Sequence, residues 1–386
     1  MAAPFRPLRV LFWGTYDRSK PRTRILIEGL RANGAKVDEC HTPIWEAVRD
    51  KGVLSRWSLA WHLVRTATAY PRLVARFLRR PAPDVLIVGY MGQLDVLLLR
   101  PFARLRRVPV VWDQFISLYD TVVNDRRQLS NRHPFAWALY LLEWAACRAA
   151  DCVLMDTRAH AAHVTETFGL TAGRVRSVWV GAETSAFPPL LPRAAAPNGS
   201  LSVLFYGQLI PLHGVQTIVE AARLLQGNPV RFVLVGSGQE GERLRELLSA
   251  EPLSNLEWHP WVEYERLVEY IRDADVCLGI FGATGKASRV IPNKAFQVIA
   301  AGRPLITRDS PAIRELLGSD ADGIRLVPPA DGRALAGAIR ELANDPGRGT
   351  WAKASTRREA IAPRAIGKQL LDVLESVLTS RRLREI

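Results

Sequence analysis

FGATGKASRVIPNKAFQVIAAGRPLIT, residues 281–307, is the stretch on which the fold turns. The apolar run before it, Val276 to Ile280, reads as a buried strand that empties into a glycine-containing loop starting at Phe281. Pro292 suits the first position of a helix, because its fixed φ is already helical and its missing N–H leaves nothing unpaired. That helix runs from Asn293 to Ala301 and stops at Gly302, since glycine accepts the conformation in which helices end. Arg303-Pro304 then leads into a strand, Leu305 to Thr307. A helix N-terminus offers free N–H groups and partial positive charge, so it holds anions. With Arg289 in the loop before it and Lys294 in its first turn, this helix start reads as a seat for phosphates. The plain alternative is an ordinary strand–helix unit with solvated basic residues, because charged side chains mostly end up exposed.

The 386 residues imply two domains, at roughly 100–200 residues each. No apolar run reaches the roughly 18 residues that suggest a membrane-spanning helix. Leu8 to Trp13 breaks at Gly14-Thr15-Tyr16-Asp17, so it reads as a first strand and not as a signal peptide. Cys40, Cys147, Cys152 and Cys277 lack paired spacing. They read as structural thiols of a reducing compartment, and no metal site is expected. The net charge of +14 favours an anionic partner. No zinc-finger, RRM or KH signature accompanies it, so phosphorylated substrates or an anionic membrane surface are expected and nucleic acid is not.

Along the chain, a strand–helix–strand start runs from Leu8 through a helix opened by Pro21 to a second strand, Ala35 to Cys40. From Lys51 to Arg80 there are seven basic residues (Lys51, Arg56, Arg65, Arg72, Arg76, Arg79, Arg80) and no acidic one. Trp57, Trp61 and Val64 recur there at helical spacing, and Pro71 restarts the pattern. Basic residues with interfacial tryptophans suit a helix on a membrane surface, and the same amphipathicity also suits a helix packed on a core. Strands follow at Val85 to Gly89 and Val108 to Trp112. Asp113 then stands at a strand's C-terminal end, where open α/β sheets keep their ligands. Its carboxylate can bind a sugar hydroxyl or hold a loop. A polar loop follows over Ser117 to Arg127, then a helix from His133 to Ala150 and strands at Cys152 to Met155 and Val175 to Val180. Gly181 to Ser200 has neither helical nor strand period and reads as a linker. A second sheet begins with Leu201 to Tyr206, whose loop Gly207-Gln208-Leu209-Ile210-Pro211-Leu212-His213-Gly214 feeds another helix N-terminus. Val230 to Val235, ahead of Gly236-Ser237-Gly238, and Leu256 to His259, ahead of Trp261-Val262, are further strands. Helical patterns close the chain over Asp331 to Asn344 and Trp351 to Arg382.

Ile291-Pro292-Asn293-Lys294 with Ala300-Ala301-Gly302-Arg303-Pro304 resembles the C-terminal domain of family-4-like retaining glycosyltransferases of the GT-B architecture (glycosyl transferases group 1). The resemblance is close over residues 201–378 and loose over 8–180. It implies an α/β fold of two Rossmann-like domains facing across a cleft. The expected division is an acceptor domain over 1–182, a linker over 183–200, a donor domain over 201–360 and a C-terminal helix, 361–386, crossing back to the first domain. It also implies a retaining hexosyl- or related transferase that uses a nucleotide-diphosphate sugar as donor substrate, no other cofactor and no metal. The acceptor would be a glycan or lipid-linked molecule, at the inner face of the membrane or in the cytoplasm, as in making cell-envelope polysaccharide.

Carried over residue by residue, the donor-binding positions are Gly14, Gly207, Gln208, His213, Gly236, Trp261, Val262, Arg289, Pro292, Asn293, Lys294 and Gln297. Lys294, His213 and Asp113 take the catalytic roles. Three departures mark a divergent branch. Gln208 and His213 stand where the family grips the diphosphate with basic residues. Arg289 and Gln297 stand where it has the two glutamates of its E-x7-E motif, and only Gly14 remains of a common glycine pair. The competing readings are another GT-B activity, such as an epimerase or phosphorylase, and a catalytically degenerate nucleotide-sugar binder or membrane scaffold.

Overall fold

The computed structural model describes residues 6–44, 56–189, 199–318, 323–345 and 355–385. The chain divides into two compact units, one of 1–123, 127–180 and 363–386, the other of 124–126 and 181–362.

The first unit alternates strand and helix: β1 (Arg9–Gly14), α1 (Pro21–Ala32), β2 (Lys36–His41), α2 (Arg56–Arg79), β3 (Val85–Val88), α3 (Gln93–Leu105), β4 (Val110–Asp113), α4 (Pro134–Ala149), β5 (Cys152–Met155), α5 (Arg158–Thr167) and β6 (Val175–Ser177). The strands form one parallel sheet in the order β2-β1-β3-β4-β5-β6. Runs such as Val-Leu-Ile-Val in β3 are wholly buried, as helices on both faces of a parallel sheet require.

The second unit runs β7 (Leu201–Tyr206), α6 (Val215–Leu224), β8 (Val230–Val235), α7 (Gly241–Ala250), β9 (Leu256–His259), α8 (Tyr264–Asp273), β10 (Val276–Leu278), α9 (Gly285–Arg289), α10 (Asn293–Ala300), β11 (Leu305–Arg308), α11 (Pro311–Leu317), β12 (Ile324–Val327), α12 (Gly332–Asn344) and α13 (Ser355–Ala360). Its parallel sheet has the order β12-β11-β10-β7-β8-β9, which is the doubly wound arrangement. The strand order reverses between β7 and β10, and loops leaving the C-terminal ends of two such strands frame a crevice.

The last helix, α14 (Pro363–Glu385), belongs to the first unit and packs on α1. Gly29 and Gly367 set the approach: a methyl on Gly29 would fall 2.1 Å from Pro363 O and 2.7 Å from Gly367 N. Two glycines thus let the helices touch backbone to backbone. Asn33 Nδ2 donates to Arg364 O at 2.7 Å, and Trp179 N donates to Gln369 Oε1 at 3.2 Å.

The structure corrects several local expectations. Pro71 lies inside one continuous helix, α2, and does not restart it. Pro292 is the N-cap of α10, with extended ψ, and not its first helical residue. The loop before it holds a short helix, α9, because Thr284 Oγ1 accepts from Ala287 N and caps it. Ser117 to Arg127 is no simple exposed loop: Ser117, Asp120 and Asp125 are buried, and Asp120–Asp125 forms a π-helical turn. The buried Glu143 carboxylate draws that segment inward, accepting from Ser117 Oγ, Leu118 N and Gln93 Nε2. Most of the linker, 190–198, and the start of the basic stretch, 51–55, lie outside the described residues.

Candidate functional site

In the second unit, the loop after β7 and the start of α10 meet around Gly207. Gly207 sits at φ +141°, and a methyl there would lie 3.0 Å from Lys294 Nζ and 3.2 Å from His213 Cε1. Lys294 is 5% exposed, and its Nζ has no hydrogen-bond partner among the described residues. It stands 3.7 Å from the centroid of the Phe205 ring. A charged ammonium would be attracted to that ring face, but loss of hydration is the larger effect and pushes the lysine well below its ordinary pKa.

His213 closes the other side. Its Nδ1 hydrogen donates to the Gln208 carbonyl, which leaves Nε2 as the nitrogen for another partner. Its ring meets the same Phe205 edge-to-face, with centroids 5.8 Å apart. Burial, and then the neighbouring Lys294 charge, hold its pKa well below the usual value. Burial thus disfavours the charged form of both groups, and each charge opposes the other. An arriving phosphate reverses this, since it attracts both protons and supplies acceptors.

The surrounding backbone is fixed by close approaches. Gly236, at φ +145°, would place a methyl 1.8 Å from Gly207 O, so only glycine fits. Phe281 N donates to His213 O at 3.0 Å and Gly282 N to Leu212 O at 3.2 Å, tying the loop after β7 to the loop after β10. Arg308, buried at the end of β11, donates from Nη1 to Gly282 O and steadies the second loop. Gln297 is half-buried one helical turn beyond Lys294, and its Oε1 accepts from Tyr206 Oη at 3.0 Å. Its amide hydrogens are the part left to meet a ligand.

Gly207, His213, Lys294, Asn293, Pro292 and Gln297 therefore gather at the crevice between β7 and β10. Gln208 contributes its carbonyl, while its side chain is exposed. Arg289 ends α9, its Nη1 2.8 Å from where a methyl on Gly285 would lie. Trp261 and Val262 follow β9, and Trp261 is 62% exposed. Phe205, Tyr206 and Arg308 are the site residues that the sequence reading missed. Phe205 and Tyr206 looked like ordinary strand positions, and nothing local shows that Lys294 folds over that ring.

In the first unit, Gly14 sits at φ +127° against Asp95, whose Oδ2 would be 2.1 Å from a methyl there. Asp95 accepts from Thr15 N at 2.7 Å and Tyr70 Oη at 2.6 Å, which pins the loop after β1; burial raises its carboxyl pKa. Asp113 is buried and accepts from Arg22 Nε at 2.8 and 2.9 Å and from Arg22 Nη2 at 2.6 Å. Arg22 Nη1 also donates to Val178 O at 2.9 Å. Of the two readings of Asp113, these contacts favour a carboxylate that holds structure over one that takes part in the chemistry.

No helix among the described residues is long and apolar enough to cross a membrane. Arg72 and Arg79 of α2 are exposed, whereas Arg65, Arg76 and Arg80 donate to the carbonyls of Pro43, His41 and Glu39.

Residues 200–345 match the family model described as Glycosyl transferases group 1. D-inositol 3-phosphate glycosyltransferase of Acidothermus cellulolyticus is 31% identical over 216 residues, 52% of this chain and 47% of that protein. The chain spans 40–60% of the length of the curated relatives it matches. Among solved structures, sucrose-phosphate synthase from Thermosynechococcus elongatus aligns with TM-score 0.69 at 20% identity, covering 97% of this chain and 100% of that one. Anabaena Alr3699/HepE in complex with UDP aligns with TM-score 0.66 at 15% identity, covering 96% and 100%. Residues 200–345 are thus similar to group 1 glycosyltransferases, and the fold is GT-B.

Proposed function

We propose that this chain transfers a glycosyl group from a nucleoside-diphosphate sugar, with UDP as the first nucleotide to test, to a glycan or lipid-linked acceptor with retention of configuration. The observation that carries the reading is the meeting of Lys294 Nζ, His213 and the Gly207 backbone over Phe205. In the reaction the bond from sugar to diphosphate breaks, and the departing phosphate keeps the electron pair. Lys294 and His213, protonated once the diphosphate is bound, donate to that growing charge. The amides at Gly207 and at the start of α10 do the same. Losing one such preorganised donor costs about 3–4 kcal/mol in enzymes that use them. Gln297 replaces a ribose-binding carboxylate with an amide. UDP in the aligned Alr3699/HepE structure supports beginning with that nucleotide.

A second reading, a nucleotide-sugar binder without turnover, draws on Arg289, which cannot accept the hydrogen bonds a glutamate would accept there. A thermal-shift screen against UDP, GDP, ADP and their sugar conjugates tests the donor site, because a ligand at 100 times its Kd adds about 2.7 kcal/mol. A shift with one nucleotide and hydrolysis of its sugar conjugate supports the transferase. A shift without hydrolysis, with acceptor sugars present, supports the binder, and no shift with any nucleotide sinks both. The expected location is the cytoplasm or the inner face of the membrane, with the exposed arginines of α2 contributing charge there.

A further inference from the structure

We propose that the outer faces of α3 and α4 in the first unit form a surface that docks on an anionic lipid bilayer. Both helices carry large apolar side chains on their outer as well as their inner faces. Their inner faces, with Val96, Leu99, Ala103, Ala146 and Cys147, lie in one core layer, so their outer faces share one side of the unit. On α3 that outer face carries Leu94, Leu98 and Leu105, the last 77% exposed. On α4 it carries Trp137, Leu141 and Trp144 at helical spacing, with Phe135 beside them and Trp137 59% exposed. A helix that must only cover a core keeps polar residues outside. Seven of the exposed large apolar side chains among the described residues stand on these two helices, so this is a cluster and not the usual scatter of single residues.

The charge on this surface selects the partner. Every acidic residue from Asp95 to Glu143 is buried, while Arg104, Arg107, Arg127 and Arg132 are exposed and Arg148 lies 4.0 Å over the Trp144 ring. Beyond α3, Arg100, Arg104, Arg176 and Arg381 line a pocket of about 310 Å³ whose one carboxylate, Asp151, is held by Arg100. Tryptophan and leucine framed by arginine suit the interfacial region of a bilayer with anionic headgroups. A second copy of the chain fits worse, because a symmetric pairing would set arginine rims against each other in a protein of net charge +14. The exposed arginines of α2, which packs beside α3, extend the same field, but this pair of helices supplies the apolar anchor.

The test is flotation of the full chain with vesicles of phosphatidylcholine alone and with added phosphatidylglycerol. The readout is independent of nucleotide or turnover, so it stands or falls apart from the transferase reading. The wild type is expected to bind only the anionic vesicles. Trp137→Ser with Trp144→Ser should weaken binding at least tenfold, by removing buried apolar area. Arg104→Gln, Arg107→Gln and Arg132→Gln together should weaken it about 100-fold, at about 1 kcal/mol per arginine. Unchanged melting temperatures show that these exposed changes leave the fold intact. Failure of the wild type to bind, or wild-type binding by both variants, overturns the proposal. So does loss of binding only in Arg72→Gln with Arg79→Gln, which would assign the contact to α2. A dimer in solution that the tryptophan changes dissolve would instead make this face a contact between copies, and would also overturn it.

Discussion

Lys294→Met separates the requirements of the site from those of the fold. Lys294 is buried with its Nζ unpartnered, and its stem lies on Phe205. Leaving a polar group buried without a partner costs about 1–3 kcal/mol. Methionine keeps the length of the stem, and its sulfur gains about 0.3–1.5 kcal/mol against an aromatic ring. Without nucleotide the variant should therefore be more stable than the wild type by about 1–3 kcal/mol, or roughly 2–10 °C in a unit of this size. For the anion the sign reverses. Hydrogen bonds to a charged group contribute about 1.5–3 kcal/mol, so UDP should bind roughly 10- to 150-fold more weakly. Urea unfolding and calorimetric titration with UDP measure the two effects. Titration in two buffers of different ionisation enthalpy adds a third, because wild-type binding should take up protons and the variant fewer. A variant that is less stable, or that binds UDP as the wild type does, refutes the phosphate seat.

Other consequences concern pH and packing. His213 has a lowered folded-state pKa, so below about pH 6.5 the unfolded chain binds a proton that the folded chain refuses. Its contribution to stability is complete above that pH and is lost as the pH falls toward the folded-state value. His213→Asn, which can still donate to Gln208 O, should flatten this acid slope of the urea midpoint, and an unchanged slope counts against the buried neutral ring. Asp113→Ala leaves Arg22 charged and buried, which should cost about 3–5 kcal/mol in urea unfolding; full stability with lost turnover would return Asp113 to the chemistry. Gly29→Ala pushes a methyl into the backbone of α14 and should cost about 1–3 kcal/mol. Limited proteolysis should then release 363–386 sooner, and equal resistance would show that the helices can part without loss.

Much of the second unit was legible before any coordinates. β7, β8 and β9 fall on the residues marked in the sequence: β7 and β8 lie inside the sheet, where cover on both faces calls for mainly apolar residues, and β9 is the half-buried edge strand. The places of Gly207 and His213 in a loop ahead of a helix, and of Lys294 in the first turn of another, were legible too, because a glycine loop at the head of a helix is a local device. The first unit was harder. The segment 117–127 is polar by composition, yet it is buried because Glu143 lies beneath it. The weight given to Asp113 rested on its place at a strand end, which is shared by carboxylates that bind ligands and carboxylates that brace loops.

What the sequence alone determined is what lies within a turn or a strand: the alternation of strand and helix, the glycines at loop entries, the Lys294 helix start and the missing glutamates. What only the tertiary structure decided is which groups meet. Arg22 finds Asp113 across 91 residues, Phe205 lies under both Lys294 and His213, and the outer faces of α3 and α4 stay uncovered while their inner faces fill a core. Burial and partnership set whether a lysine carries its charge, whether a carboxylate reacts or braces, and whether an apolar helix face is core or contact. They arise from the packing of segments distant in sequence, and no window along the chain contains them.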